Sequence, residues 1–272
     1  MNLKKKSIIR RNNIKIKGEG SQPIVFAHGF GCAQDMWRYI VPDFEKDYKV
    51  ILFDNVGAGD SDLSSYSRQK YNSLQGYADD ILEICEELSL WNVILVGHSV
   101  SAMIAVLAAN TEPGRFEHLI LLCPSPRYLK DIGYESVFNK EDIEDLLEIV
   151  ESNFLGWSSK IALSIMGNPD RPELGEELKT SFCSTDPEIA KHFAEVTFLS
   201  DNRKDLELVK VPTLILQTNM DFLAPITVGI FVHEAIKNST FRLLHATGHC
   251  PNLSAPEETI LTIKEYLSKS VA

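Results

Sequence analysis

The apolar run Val93-Ile94-Leu95-Val96 passes directly into Gly97-His98-Ser99-Val100-Ser101, and a helical pattern follows to Asn110. No other stretch limits the fold so sharply. A buried strand that turns into a helix within five residues needs small side chains, because the two backbones pass closely there. Serine at the apex is lifted above the sheet edge, and the helix N-terminus points at whatever its hydroxyl attacks. Glycine is usual at the last of the five positions; Ser101 adds only a hydroxymethyl group. Ser99 is therefore the candidate nucleophile.

The flanking sequence repeats the strand–helix alternation. Residues 24–27, 50–53, 93–96, 119–122, 213–216 and 241–244 read as buried strands. Most are continuous apolar runs, as expected where helices cover both faces of a parallel sheet. Tyr77, Ile81, Ile84, Cys85 and Leu88 share one helical face, and 256–268 reads as a closing helix. Ile8-Ile9 and Ile14-Lys15-Ile16 read as an N-terminal antiparallel hairpin. The fold class expected is α/β, a mostly parallel, doubly wound sheet.

Between 125 and 205 the alternation stops. Helical periodicity covers 141–151, 157–166, 174–182 and 188–198, punctuated by Gly167-Asn168-Pro169-Asp170 and Ser184-Thr185-Asp186-Pro187. This predicts a core domain of 1–124 and 206–272, with a four-helix lid of 125–205 inserted over the carboxyl edge of the sheet, where ligands bind in such folds. A chain of 272 residues, 44% of them hydrophobic, can fill that core.

A serine hydroxyl near neutral pH needs a base to take its proton and a carboxylate to orient the base. Asp221 follows the strand at 213–216, and His249 follows the strand at 241–244. Both stand on loops at the same sheet edge as Ser99, in the chain order serine, acid, histidine. His245 competes as base but lies nearer the strand end. His245 and His249 have i, i+4 spacing, yet Gly248 and Pro251 argue against a helix there and no H-E-x-x-H occurs, so no metal is expected. Acyl transfer also needs donors for the developing oxyanion. The backbone N–H groups of Val100 and of Phe30, in the loop His28-Gly29-Phe30-Gly31, fit that role. Asp54-Asn55-Val56-Gly57-Ala58-Gly59-Asp60-Ser61 lacks the third glycine of a nucleotide loop and reads as structural. No cofactor is expected.

Twenty-seven basic against 38 acidic residues give a net charge of −11, which argues against nucleic acid and anionic membranes as partners. Lys4-Lys5-Lys6 is not followed by an apolar segment, no run approaches the length of a membrane span, and five scattered cysteines fit free thiols. A cytoplasmic location is the expectation.

The loops His28-Gly29-Phe30-Gly31 and 54–62, with Gly97-His98-Ser99-Val100-Ser101 and Gly248-His249, resemble the α/β-hydrolase superfamily. The finer resemblance is to the RsbQ-type subgroup, bacterial relatives of the plant strigolactone and karrikin receptors. It rests on Phe53-Asp54, Pro124-Ser125-Pro126-Arg127-Tyr128-Leu129, residues 168–173, residues 182–187 and Gly248-His249-Cys250-Pro251. Ser101 is the residue typical of the plant receptors, and Asn219-Met220-Asp221 departs from the usual RsbQ wording. The resemblance implies a Ser-His-Asp triad beneath a V-shaped lid around a mostly apolar pocket. Carried over by position, Phe30, Phe138, Trp157, Ile161, Phe193 and Phe198 line that pocket. It also implies a bacterial stress-signalling role, with a PP2C-type phosphatase as partner and a small hydrophobic ester or lactone as ligand. The expected activity is therefore serine hydrolysis. A small-molecule-binding regulator with slow hydrolysis and a carbon–carbon bond hydrolase are the alternatives.

Overall fold

The computed structural model describes residues 7–270; Lys4-Lys5-Lys6 lies outside them. Among the described residues seven strands, β1 (Lys15–Lys17), β2 (Gln22–Ala27), β3 (Tyr48–Leu52), β4 (Val93–His98), β5 (Phe116–Leu122), β6 (Thr213–Met220) and β7 (Ser239–Thr247), form one sheet. Their order is β1-β3-β2-β4-β5-β6-β7. Every pairing is parallel except β1 with β3. Successive connections run outward from β2 in one direction and from β4 in the other, so the order reverses between these two neighbours. The crevice beyond their carboxyl ends is the switch point where open α/β sheets bind ligands.

The antiparallel pair is made differently from the expected hairpin. Ile8–Arg11 forms a single helical turn, α1, and β1 pairs with β3 across the sheet. The reason is long-range. Asn12 and Arg11 carbonyls accept from the backbone N–H groups of Asp54 and Asp62, and the Arg11 guanidinium pairs with Asp80 and Glu83. Such partners outweigh the local β preference of two isoleucines.

Helices α2 (Leu74–Glu87), α3 (Val100–Thr111), α9 (Ile226–Ala235), α10 (Pro251–Ser254) and α11 (Pro256–Ser270), with the short α8 (Arg203–Leu206), complete the strand-bearing part. α3 is buried along most of its length, and a Cβ on Gly97 would stand 2.3 Å from the Ser101 carbonyl oxygen, which is why glycine precedes this helix. Two apolar clusters lie on opposite faces of the sheet. Phe26, Trp37 and Phe44 anchor one; Ile51, Tyr77 and Ile104 belong to the other. Fully burying each such aliphatic or aromatic side chain contributes about 1.5–3 kcal/mol.

Between β5 and β6, ahead of the short α8, come four longer helices: α4 (Lys140–Ser152), α5 (Phe154–Met166), α6 (Pro172–Ser184) and α7 (Pro187–Phe198). Their ends follow local chemistry. Asn139 and Asp142 make a reciprocal capping box on α4, α5 stops at left-handed Gly167, and Asp186 caps α7 ahead of Pro187. Among the described residues no helix is long and apolar enough to cross a membrane.

Candidate active site

Ser99, at the junction of β4 and α3, has φ 59° and ψ −124°. That conformation costs a non-glycine residue about 1–3 kcal/mol. It is held by the Ser99 N–H donating to the Leu122 carbonyl at 2.9 Å. The strained turn places Ser99 Oγ 2.7 Å from His249 Nε2. His249 Nδ1 in turn lies 2.7 Å from Asp221 Oδ2. With the carboxylate accepting from Nδ1–H, Nε2 is left as the acceptor for the serine proton. Both side chains of the His249–Asp221 pair are buried, at 3% and 0% exposure.

Asp221 follows the last residue of β6. Its Oδ1 accepts from the N–H groups of Leu223 and Ala224. Burial pushes its carboxyl upward, but His249 and these two N–H donors outweigh it and hold it below the usual range. Cys123, at the end of β5, faces the same carboxylate. Burial raises its thiol well above the ordinary range, so it remains S–H. Cys123, Asp221 and His249 have donor atoms within 4.8 Å of one another. The carboxylate is already engaged by the imidazole and two backbone donors, which fits a proton-relay set better than a metal centre. His245, the competing histidine, has a fully exposed side chain paired with Glu258.

The Phe30 loop is braced from three sides. His28 Nε2 accepts from the Asn55 N–H at 2.9 Å, and its Nδ1 lies 2.9 Å from the Gly29 carbonyl. The Ser101 hydroxyl donates to the His28 carbonyl. A role for this serine is invisible from local sequence, since its partner lies 73 residues away. His98 Nε2–H donates to the His249 carbonyl at 2.7 Å. Phe30 stands at the carboxyl end of β2, and Val100 is the first residue of α3, where a helix N–H has no intrahelical acceptor. Neither N–H donates to another backbone group among the described residues.

The sequence profile described as alpha/beta hydrolase fold matches residues 22–256. The chain belongs to the α/β-hydrolase family. It is 38% identical over 263 residues to the karrikin insensitive 2 receptor CA of Petunia hybrida, covering 96% of this chain and 97% of that one. Identity to the strigolactone esterase RMS3 of Pisum sativum is 37% over 246 residues, covering 90% and 92%. A solved hydrolase from Oleispira antarctica superposes with a TM-score of 0.94 at 41% identity, covering 96% of each chain. The protein is an α/β-hydrolase of the serine-hydrolase class.

In this α/β-hydrolase a cavity of about 30 Å³ opens beside Ser99 and His249. Phe30, Trp157 and Phe198 line it. Phe138, Ile161 and Phe193 do not. Phe138 packs edge-on behind Phe198 at 6.4 Å, Ile161 packs partly buried against the core, and Phe193 packs tilted against Tyr77 at 4.6 Å in a neighbouring recess. Their places on the wall are taken by Tyr128, Ile165, Leu178, Phe182 and Leu223. Helical periodicity marks which residues are buried, but not whether they meet the cavity or the core behind it.

Proposed function

We propose that this chain is a hydrolase of small, largely apolar esters or lactones, with Ser99 as nucleophile, His249 as general base and Asp221 as its orienter. The observation that carries this reading is the pair of 2.7 Å contacts from Ser99 to His249 and from His249 to Asp221 at one sheet edge. His249 Nε2 takes the serine proton as Oγ attacks the carbonyl carbon, and Asp221 stabilises the imidazolium. The N–H groups of Phe30 and Val100 receive the oxyanion. His249 then gives the proton to the departing alkoxide, and water releases the acyl group by the same steps reversed. Residues 1–124 and 206–272 act as the core and 125–205 as the lid. The cramped aromatic cavity favours short, uncharged acyl groups, since a charge there would lose its hydration without a partner. Rates on short uncharged esters, set beside long-chain and carboxylate-bearing ones, test this; a preference for the latter would overturn it.

The biological setting proposed is bacterial stress signalling beside a PP2C-type phosphatase in the cytoplasm. The RsbQ-type resemblance supports it, and the exposed acidic face of α4 (Glu141, Asp142, Glu144, Asp145) offers a surface for a protein partner. A second reading, a small-molecule receptor that turns over slowly, is supported by the small size of the cavity and by relatives that carry receptor names. A strain lacking this protein, complemented with Ser99→Ala, separates them. Lost signalling means hydrolysis makes the signal, and restored signalling means binding suffices.

A further inference from the structure

One hydroxyl on the largely apolar wall of the Ser99 cavity has nothing to bond. Thr197, on α7, is 2% exposed, lines the cavity, and its Oγ1 has no hydrogen-bond partner among the described residues. Helical hydroxyls commonly donate back to the carbonyl four residues earlier. Thr111, Ser159, Thr180 and Thr262 do so here, at 2.7–2.9 Å. Thr197 is buried and does not. Ser158 on α5 is also buried and unpaired, but it does not line the cavity. The other unpaired polar atom on this wall, His98 Nδ1, is packed against Gly29, where a Cβ would stand 2.7 Å from it. Tyr128, the remaining hydroxyl of the wall, lies against Ser99 at the reacting end.

Valine would fill the space of Thr197 without burying an unmatched donor, so the hydroxyl has a use only if an acceptor arrives with the ligand. That acceptor is not the reacting carbonyl oxygen, which the Phe30 and Val100 N–H groups receive. Nor is it a carboxylate, because no cation lines the cavity to offset its desolvation. We infer that Thr197 is a specificity-determining residue for a second oxygen on the substrate. The cavity then takes a compact ester or lactone that carries, besides its reacting carboxyl group, an ether, carbonyl or hydroxyl oxygen accepting from Thr197 Oγ1. This rests on the hydrolase reading above and narrows its substrate class.

The test compares methyl cyclopentanecarboxylate with the two methyl tetrahydrofuran-carboxylates, whose ring oxygen is adjacent to, or one atom removed from, the carboxyl-bearing carbon. Product acid is measured for the wild type, Thr197→Val and Ser99→Ala. The better oxygenated ester should exceed the carbocycle in kcat/KM by about tenfold or more in the wild type, because a buried donor left unmatched rejects the analogue. Thr197→Val should abolish that preference, mainly by slowing the oxygenated ester, while melting at the same or higher temperature than wild type. A preference unchanged in Thr197→Val, or absent from the wild type, overturns the inference while leaving the hydrolase reading intact. So does a Thr197→Val protein that melts well below wild type, which would give the hydroxyl a structural use. Equal rates for Ser99→Ala and wild type would instead overturn the hydrolase reading itself.

Discussion

The backbone N–H of His249 donates to the carbonyl of Ile165 at 2.8 Å, tying the loop that carries the imidazole to the last turn of α5. Gly248 is part of the same joint. Its φ is +84°, and a Cβ there would stand 1.8 Å from the Met166 carbonyl oxygen. The helical insertion and the proposed base therefore share a seam of backbone, and neither can shift far without the other.

Gly248→Ala should accordingly separate this seam without touching a reacting group. We expect kcat to fall by about 10²-fold or more, since a misplacement of order 1 Å is that costly. Far-ultraviolet circular dichroism should remain that of the wild type. Steady-state kinetics on a short ester checks it; an unchanged kcat would show that the joint does not position His249.

Ser101→Ala removes the bond to the His28 carbonyl and leaves the turn itself intact. The loop carrying Phe30 loses one of its braces, so stabilisation of the oxyanion should weaken more than substrate binding. The expected result is a loss of about tenfold in kcat with KM nearly constant. Ser101→Gly should behave in the same way.

Asp221→Asn keeps the shape of the acid but presents an amide to His249 Nδ1. The imidazole then favours the wrong tautomer, and kcat should fall by about 10⁴-fold. Ester turnover at constant pH is the measurement.

Stability should decline on mild acidification. Burial drives His98 down to about 3, whereas the unfolded chain protonates near the ordinary histidine value of about 6.5. Between those limits the unfolded state binds more protons, so stability falls as pH falls. The loss from this residue should be about 1.4 kcal/mol per pH unit once below pH ~6.5. His28, also lowered by burial, adds to it. Urea midpoints between pH 7 and 4.5 report the slope, and His98→Gln should flatten it.

The site was more legible in the sequence than the fold's periphery or the cavity wall. Ser99 and Asp221 follow buried strands and His249 follows the partly exposed edge strand β7, and a parallel sheet brings such loops to one edge by topology alone. Ile8-Ile9 misled because the contacts that coil α1, from Arg11 to Asp80 and Glu83, are remote in sequence. The places of Phe193 and Phe138 are hard to read for another reason. An amphipathic helix shows which face is buried, and only its docking decides which cavity that face meets: Phe193 touches both Phe30 and Tyr77, beside the recess next to the Ser99 cavity.

The central claim is that Ser99 is the nucleophile and acts as a unit with His249. The most direct measurement is kcat/KM for para-nitrophenyl acetate with the wild type, Ser99→Ala, His249→Ala and the double variant, each checked for a native melting transition. Both single variants should lose about 10³–10⁶-fold, and the double variant should be no worse than either. A folded Ser99→Ala protein retaining activity within about tenfold of wild type would contradict the account.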